Sequence, residues 1–394
     1  MTHHADVERT DATPGRTAFL SFSPPLIGAE EVDEVVDTLR ADWITTGPKT
    51  QRFEAEFRAY MGAPATLALN SCTGALHTAL LAAGIEPGAE VITTPMTFAA
   101  TVNAIEHVRA RPVLVDVEPD TLNIDPERVA AAITPRTRAI IPVHFAGHPA
   151  DLDPIHELAR ARDLLVLEDA AHALPARYKG RLIGSGRNPA AFSFYATKNL
   201  TTGEGGMLTG GEELVERARL ASLHGIRRGA SRKSWSYEIV FPGYKYNMTD
   251  VQAALGLWQL RKLARFQQRR CEVVAAYRRA FADEEALELP IERPEVEHAW
   301  HLFVVRLRLE TLRIGRDAFL DELTARNIGT SVHFLPIHLH PYYRETYGYR
   351  PDDFPVTLGS YERMLSLPLN PRLTDQDVAD VIEAVRDVIR RNRR

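Results

Sequence analysis

The segment "AFSFYATKNLTTGEGGM", from Ala191 to Met207, contains one lysine, Lys198. Apolar and aromatic residues precede this lysine and glycines follow it, so the sequence predicts a strand that enters a tight loop. A lysine carried toward the interior loses hydration, and its pKa falls toward the range in which the amine is neutral. A neutral amine is a nucleophile toward aldehydes and ketones. Lys198 is therefore a candidate for covalent chemistry with a carbonyl compound.

Two other segments would complete a site around this lysine. Asp169 follows the apolar run in "LLVLEDAAHA" and could pair with a protonated ring nitrogen. The segment "NSCTGAL" begins a helix-like stretch, where free backbone N–H groups favour a phosphate, and Ser193 could add a hydroxyl. Each feature alone is common in turns and helix caps. Their joint occurrence favours pyridoxal phosphate, which requires a lysine, an acid and a phosphate cradle.

The elements that must position these residues alternate along the chain. Short apolar, β-rich runs and helical segments follow one another from about residue 65 to residue 195, which predicts a mostly parallel sheet between helices. Ligand-binding groups in such a sheet gather at the carboxyl ends of the strands. A Pro-rich stretch near residue 290 then leads to a shorter α/β pattern. We predict a flexible tail (1–17), a large domain (18–262), and a bridging helix with a small C-terminal domain (263–394).

Composition narrows the class of protein. The chain has 394 residues, of which 45% are hydrophobic and 25% charged, and its net charge is −5, so no nucleic-acid surface is expected. No apolar run reaches the ~18 to 20 residues of a membrane helix, and the N-terminus lacks the apolar centre of a signal peptide. The sequence therefore predicts a cytoplasmic protein without membrane contact. With only Cys72 and Cys271, neither a disulfide framework nor a metal site is expected.

Seven motifs resemble those of a known family. They are "GPKTQRFEAEF", "NSCTGALHTAL", "TPMTFAAT", "HFAGHPAD", "LEDAAHA", "SFYATKNLTTGEGGM" and "GYKYNMTDVQAALG". Together they resemble the DegT/StrS-type nucleotide-sugar aminotransferases, which are pyridoxal-phosphate enzymes of the aspartate-aminotransferase fold, fold type I. The resemblance runs in order from about Ser21 to Ile389. It implies a homodimer whose active sites lie at the subunit interface.

The resemblance also implies roles for individual residues. Lys198 would bind the cofactor and then move a proton between the substrate carbon and C4′ of the cofactor. Asp169 would pair with the ring nitrogen. The other cofactor contacts would be His172 near the 3′-oxygen, Phe98 over one ring face, and Cys72, Thr73 and Ser193 at the phosphate.

One motif departs from the commonest form of the family. The loop Gly243–Met248 reads "GYKYNM", whereas the common form is Gly-x-Asn-x-Arg-Met, in which the Asn contacts the phosphate of the neighbouring subunit's cofactor. Lys245 stands at the Asn position and Asn247 at the Arg position. Either side chain could contact the phosphate, because an ammonium and an amide both donate hydrogen bonds to an anion.

The substrate expectation depends on the same loop. "GYKYN", together with "HAWHLFVVRL" at residues 298–307, is similar to aminotransferases that act on C4 of a nucleotide-linked 4-keto sugar. The resemblance implies amino transfer from L-glutamate to a dTDP- or UDP-linked keto sugar, with dTDP-4-keto-6-deoxyglucose preferred, in amino-sugar or antibiotic biosynthesis. Candidate substrate contacts are Thr46 in "WITTGP", His333 and His338 in "SVHFLPIHLH", and Arg227, Arg228 and Arg232 in "HGIRRGASRKSW".

Four other functions compete with transfer to C4. Transfer to C3 instead of C4 stays open. A sugar 3-dehydratase of this family would carry histidine in place of Lys198, and a cysteine desulfurase would need a mobile cysteine, whereas Cys271 lies in a helical pattern. A non-catalytic regulatory protein of the same fold would not need Asp169 and Lys198 together. The retained lysine and acid favour an aminotransferase.

Overall fold

A computed structural model describes residues 16–228 and 235–394 of the chain. Its α-helices are α1 (Ala29–Arg40), α2 (Pro48–Met61), α3 (Cys72–Ala82), α4 (Ala99–His107), α5 (Pro126–Ala132), α6 (Leu152–Arg162), α7 (Glu212–Ser222), α8 (Asp250–Ala280), α9 (Arg316–Ala325), α10 (Pro341–Tyr347), α11 (Pro355–Tyr361) and α12 (Asp375–Asn392). Its strands are β1 (Ala65–Leu69), β2 (Glu90–Thr93), β3 (Arg111–Leu114), β4 (Thr137–Ile140), β5 (Leu165–Val166), β6 (Glu168–Asp169), β7 (Arg177–Tyr178), β8 (Arg181–Leu182), β9 (Ala190–Ser193), β10 (Gly206–Gly210), β11 (Ile226–Arg227), β12 (Glu238–Ile239), β13 (Leu287–Glu288), β14 (Val296–Glu297), β15 (Phe303–Leu307) and β16 (Met364–Leu367).

The central sheet has the order β3-β2-β4-β5/β6-β9-β10-β1. Residues 165–169 join its two halves, because β5 pairs with β4 and β6 pairs with β9. All neighbouring pairs are parallel except those of β10, which is antiparallel to both β9 and β1. The predicted α/β fold, with a mostly parallel sheet between helices, is confirmed. The carboxyl ends of β1, β6 and β9 consequently lie along one edge of the sheet, beside the amino end of β10.

The helix α8 connects two parts of the hydrophobic core. It begins at a capping box, in which Thr249 accepts from the backbone N–H of Gln252 and the Gln252 side chain accepts from Thr249 N–H. Its first half contributes Leu257 and Leu263 to the core beneath the central sheet. Its second half contributes Val273 to a separate core. A single helix of 31 residues thus joins both cores.

The second core lies in the C-terminal part of the chain. A three-stranded antiparallel sheet, β13-β15-β16, packs there with α9 and α12, and the apolar stripe of α12 faces it through Val381, Val385 and Val388. This smaller α/β unit agrees with the predicted fold class. The division at residues 262 and 263 stays a prediction, because α8 runs through it without a break.

The N-terminal segment is attached to this C-terminal part. Residues 1–15 of the predicted tail lie outside the described residues. Arg16 forms an ion pair with Asp380 at 3.1 Å, and Leu20 forms a parallel bridge with Ile328. The segment 18–25 therefore connects the C-terminal core to the region before α1. Within the described ranges, no helix has both the length and the apolar character required to cross a bilayer.

Candidate active site

The register of three strands brings the predicted site residues to one edge of the sheet. Gly206 at the start of β10 pairs with Ser193 on one side and with Leu69 on the other. Asp169 ends β6 and pairs with Ala191 on β9, two residues before Ser193. The loop with Lys198 leaves the same edge and returns to it, because Phe194 N–H donates to Gly205 O at 2.9 Å. Residues far apart in sequence therefore face one space.

That space is a cavity of about 640 Å³. Eight of the predicted residues line it, and they are Cys72, Thr73, Phe98, Asp169, His172, Ser193, Lys198 and His333. Residues that the sequence reasoning did not select also line it, among them Phe22, Thr97, Thr101, His301 and Phe334. Thr97 and Thr101 belong to the motif "TPMTFAAT", and His301 belongs to "HAWHLFVVRL". Both motifs therefore contain cavity residues that were not predicted from the sequence.

Lys198 reaches the cavity from the loop between β9 and β10. Burial lowers the pKa of its amine to about 8, although the nearby Cys72 thiol and Asp169 carboxylate oppose the shift. An ordinary lysine has a pKa near 10.5. The amine of Lys198 therefore becomes a nucleophile at pH values where surface lysines remain protonated.

Asp169 is a buried acidic group of the cavity and is 4% exposed, whereas Glu204, which also lines it, is exposed. Its Oδ2 accepts a hydrogen bond from the Thr101 hydroxyl at 2.7 Å, and its Oδ1 accepts from Ala171 N–H at 3.1 Å. Burial raises the pKa of the carboxyl group, while these two hydrogen bonds, Lys198 and His144 counteract that rise. The carboxylate is held from two sides.

The start of α3 forms the opposite side of the cavity. Ser71 caps the helix, since its Oγ accepts from Gly74 N–H at 3.0 Å. The backbone N–H groups of Cys72 and Thr73 are the first of the helix and so have no partner within it. Gly206 packs against them, and a Cβ there would lie 2.4 Å from Ser71 C and 2.5 Å from Cys72 N. The helix start and the glycine-rich turn can approach this closely only without a side chain.

Aromatic rings form a further wall. His172 and Phe334 are stacked, with ring centroids 5.7 Å apart, and Phe98 lies 5.8 Å from Phe334. Phe98 is 62% exposed, so most of its ring faces open space. The Nδ1 atom of His172 is buried without a hydrogen-bond partner among the described residues, and burial and the charge on Lys198 hold the pKa of this histidine well below its usual value. The cavity wall therefore contains a neutral histidine ring with one nitrogen that has no partner among the described residues.

The remaining predicted residues do not line this cavity. Asn247 Nδ2 donates to Thr46 Oγ1 at 2.5 Å, and Lys245 Nζ donates to Asn247 Oδ1. These three residues form a separate polar cluster on the exposed side of the loop 243–248. Arg228 is exposed after β11, and Arg232 lies outside the described residues.

His338 is buried away from the cavity. Its Nε2 lies 3.2 Å from the carbonyl oxygen of Pro351, and its ring packs against Phe354 at 4.8 Å. The sequence placed His338 and His333 in one candidate group because they are close along the chain. The structure places only His333 at the cavity.

Comparisons with known proteins agree with this geometry. Residues 25–386 match the model of the DegT/DnrJ/EryC1/StrS aminotransferase family. The Bacillus subtilis spore coat polysaccharide biosynthesis protein SpsC is 51% identical over 95% of this chain and 98% of its own length. The Streptococcus pneumoniae protein Spr1654, described as a sugar aminotransferase and solved in its pyridoxal-phosphate form, superposes with a TM-score of 0.89 and 36% identity over 95% of this chain and 99% of its own. The S. venezuelae protein DesV is 38% identical, with a TM-score of 0.84 over 92% and 94% of the two chains.

The residues present fit pyridoxal phosphate. The cavity offers an amine of lowered pKa, a buried carboxylate, a helix start that is open to an anion, and the unpartnered Nδ1 of His172. When bound, the cofactor supplies an aldehyde that carries the amino group and a ring that accepts electrons from the substrate carbon. The family match over most of the chain and the fit of the cavity lead to one conclusion: the protein belongs to the DegT/DnrJ/EryC1/StrS aminotransferases and is a pyridoxal-phosphate-dependent sugar aminotransferase.

Proposed function

We propose that the enzyme moves an amino group from L-glutamate to the C4 keto group of a nucleotide-linked 4-keto-6-deoxyhexose, with dTDP-4-keto-6-deoxyglucose as its preferred substrate. The observation that carries the aminotransferase chemistry is the placement of Lys198, with a pKa of about 8, in one cavity with Asp169. The C4 position is supported by the "GYKYN" loop and by "HAWHLFVVRL", which resemble the C4 subgroup.

Lys198 has two tasks in this proposal. As a neutral amine it would hold the cofactor through its aldehyde, and as a free amine it would move a proton between the substrate carbon and C4′ of the cofactor. A single group can do both because burial keeps its pKa within about one unit of neutral pH. Asp169 would keep the ring nitrogen of the cofactor protonated, since a buried carboxylate stabilises a neighbouring cation.

The other residues of the cavity would fix the position of the cofactor. The N–H groups of Cys72 and Thr73, with the hydroxyl of Ser193, would hold the phosphate, which suits the positive end of the α3 dipole. His172 would donate to or accept from the 3′-oxygen, and Phe98 would cover one face of the ring. Such contacts fix the plane of the ring relative to Lys198 and Asp169.

Both substrates are anionic, and the cavity lining has few cations to receive them. None of the described residues lining it is an arginine, and its one lysine is Lys198. We therefore propose a homodimer in which Lys245 and Asn247 reach the cofactor phosphate of the neighbouring subunit. Large exposed apolar side chains in the same region are consistent with an interface there, and these are Trp43, Ile44, Phe241 and Tyr244.

Three residues are proposed to contact the sugar nucleotide. His333 borders the cavity with a pKa lowered to about 4 by burial and by Lys198, so it would meet the sugar as a neutral hydrogen-bonding group. Thr46, in the polar cluster with Asn247, would contact the substrate across the interface. Arg228 is exposed and would bind the diphosphate.

The reaction is tested with purified enzyme, L-glutamate and dTDP-4-keto-6-deoxyglucose, with the product amine located by NMR. We expect an amine at C4 and formation of 2-oxoglutarate. An amine at C3, or no turnover with any 4-keto sugar, contradicts the proposal. The Lys198→Ala variant is the control for chemistry, because it retains the fold and the cavity but has no amine to bind the cofactor.

The diphosphate contact is tested separately from the chemistry. Arg228→Ala is expected to raise KM for the sugar nucleotide about 10-fold, since one charge-assisted contact is lost, and to leave the half-reaction with glutamate unchanged. Arg217→Ala removes an exposed arginine of α7 and serves as the matched control. Equal KM values in both variants would remove Arg228 from the site.

A further inference from the structure

The hydroxyl of Thr101 has its partner outside its own helix, as do those of Thr50 in α2 and Thr357 in α11. Thr38 in α1 and Thr78 in α3 each donate to the backbone carbonyl four residues earlier, at 2.8 Å and 2.7 Å. Thr101, in the first turn of α4, instead contacts Asp169 Oδ2 at 2.7 Å, on a different strand. The hydroxyl is used for a contact across the cavity and not to satisfy its own helix.

We propose that Thr101 is a positioning residue that holds the Asp169 carboxylate in the orientation and charge state required opposite the ring nitrogen of the cofactor. The inference rests on the proposed function in one respect, that Asp169 pairs with this nitrogen. It does not depend on which sugar is aminated.

The directions of the hydrogen bonds follow from chemistry. A carboxylate only accepts, so Thr101 O–H must donate to Asp169 Oδ2. That donation uses the single proton of Thr101, and its oxygen, 2.7 Å from Thr97 Oγ1, must therefore accept from the Thr97 hydroxyl. The two hydrogen bonds form a chain in which Thr97 donates to Thr101 and Thr101 donates to Asp169.

Both hydroxyls of this hydrogen-bond chain are buried. Thr101 is 1% exposed and Thr97 is 2% exposed, so bulk water has little access to replace either hydroxyl. Asp169 Oδ1 accepts from Ala171 N–H, which fixes one oxygen to the backbone, and Thr101 fixes the other. A carboxylate held at both oxygens cannot rotate away from a ring nitrogen placed before it.

The chain also affects the charge of Asp169. Burial raises the pKa of this carboxyl group, and the Thr101 hydroxyl is the strongest of the contacts that lower it again. The other titratable groups that act on Asp169 are Lys198 after β9, Cys72 at the start of α3, and His144 after β4. The ring of His144 is itself paired with Glu168 at 3.1 Å. Without Thr101, Asp169 would remain protonated to higher pH, and a neutral acid cannot balance a protonated ring nitrogen.

The test measures the affinity of the apo-enzyme for pyridoxal phosphate across pH 5 to 9. Thr101→Val has the same shape without the hydroxyl, and Thr101→Ser keeps the hydroxyl. We expect Thr101→Val to weaken binding about 10-fold at pH 7 and to move the acidic limb of the affinity profile to higher pH. Thr101→Ser should stay within about 2-fold of the wild type. Thr38→Val, at a buried helical threonine that does not line the cavity, should shift neither the affinity nor the acidic limb.

A double-mutant cycle shows whether the effect passes through Asp169. In an Asp169→Ala background, Thr101→Val should change the affinity less than about 2-fold, because the acceptor is gone. Melting temperatures of the four apo-proteins provide a second cycle that needs no cofactor, and they should be non-additive. Unchanged affinity in Thr101→Val, or an undiminished 10-fold effect without Asp169, overturns the proposal. Failure to aminate C4 would overturn the proposed function and leave this result intact.

Discussion

Asn199 and His301 are joined by a hydrogen bond between Asn199 Oδ1 and His301 Nδ1, 3.2 Å apart. The Nδ2 group of Asn199 donates to Leu174 O at 2.9 Å and to Ala299 O at 2.7 Å, so its amide oxygen must face the histidine. An amide oxygen only accepts, which places the proton of His301 on Nδ1 and a lone pair on Nε2. The residue next to Lys198 thus sets the tautomer of a histidine that lines the cavity.

Replacing Asn199 by leucine should lower the stability of the protein and slow the reaction of Lys198 with the cofactor. Two carbonyl oxygens and His301 Nδ1 lose a buried partner, so we expect the free energy of unfolding to fall by about 2 to 4 kcal/mol in urea titrations. Capture of pyridoxal phosphate by Lys198 should slow about 10-fold as its loop loosens.

Asn123 offers a matched control for that variant. It is also buried, donates to His148 O and Pro149 O at 3.1 Å each, and accepts from Phe145 N–H at 2.8 Å. Asn123→Leu should cost similar stability without slowing the capture of the cofactor. Equal slowing in both variants would mean that the effect reflects general destabilisation and not the position of Lys198.

The capture of the cofactor should depend on pH through Lys198. The neutral fraction of an amine rises with pH, and with a pKa of about 8 it is about one tenth at pH 7 and nearly complete above pH 9. The rate of absorbance change after mixing apo-enzyme with pyridoxal phosphate should therefore reach half its maximum near pH 8. N-acetyl-lysine measured in parallel corrects for titration of the cofactor itself. A half-maximum near pH 10 would contradict the burial of the amine.

Removing the charge of Asp169 should have two separable effects. Asp169 raises the pKa of Lys198, so Asp169→Asn should move the half-maximum of cofactor capture below pH 8. The same variant should lose about 100-fold or more in kcat, because the contact of the ring nitrogen to a charged group is lost. Stopped-flow capture and steady-state turnover measure the two effects. Full activity in Asp169→Asn would show that this carboxylate does not pair with the ring.

Adding one methyl group at Gly206 should displace the start of α3. The Cβ would meet backbone atoms of Ser71 and Cys72 within 2.6 Å, and backbone cannot give way as a side chain can. Gly206→Ala should lower the free energy of unfolding by about 1 to 3 kcal/mol and weaken pyridoxal phosphate binding. Gly186→Ala, where the nearest heavy atom to the new Cβ is Asn188 N at 3.9 Å, should change neither property. Thermal melts and cofactor titrations of both variants decide the point.

Much of the cavity could be predicted from the sequence because short local patterns mark the residues that would carry out its chemistry. Lys198, Asp169 and the start of α3 each follow a short apolar run, and the rule that ligands gather at the carboxyl ends of parallel strands brings them together. Ser193, suggested by the same reasoning, and His172, named only through the family resemblance, also line the cavity.

What could not be predicted depends on contacts between distant elements. Thr101 acts through Asp169, 68 residues away, and nothing in its helix shows which way its hydroxyl points. Phe334 and His301 come from the C-terminal part of the chain and reach the cavity only when the two cores are assembled. His333 and His338 have similar local sequences, yet one borders the cavity and the other is buried beside Phe354. Local pattern does not distinguish such pairs.

The two sides of the cavity come from different parts of the chain. The loop 194–205, closed on itself between β9 and β10, carries the lysine, while Ser331 and Phe334 come from a segment attached to β16 through the Ser331–Ser366 bridge. The two sides are nevertheless in contact, because Phe334 stacks on His172 and the charge on Lys198 helps to lower the pKa of His333. For engineering, substitutions at residues 331–334 would therefore change the proposed sugar side of the cavity and the surroundings of the lysine together.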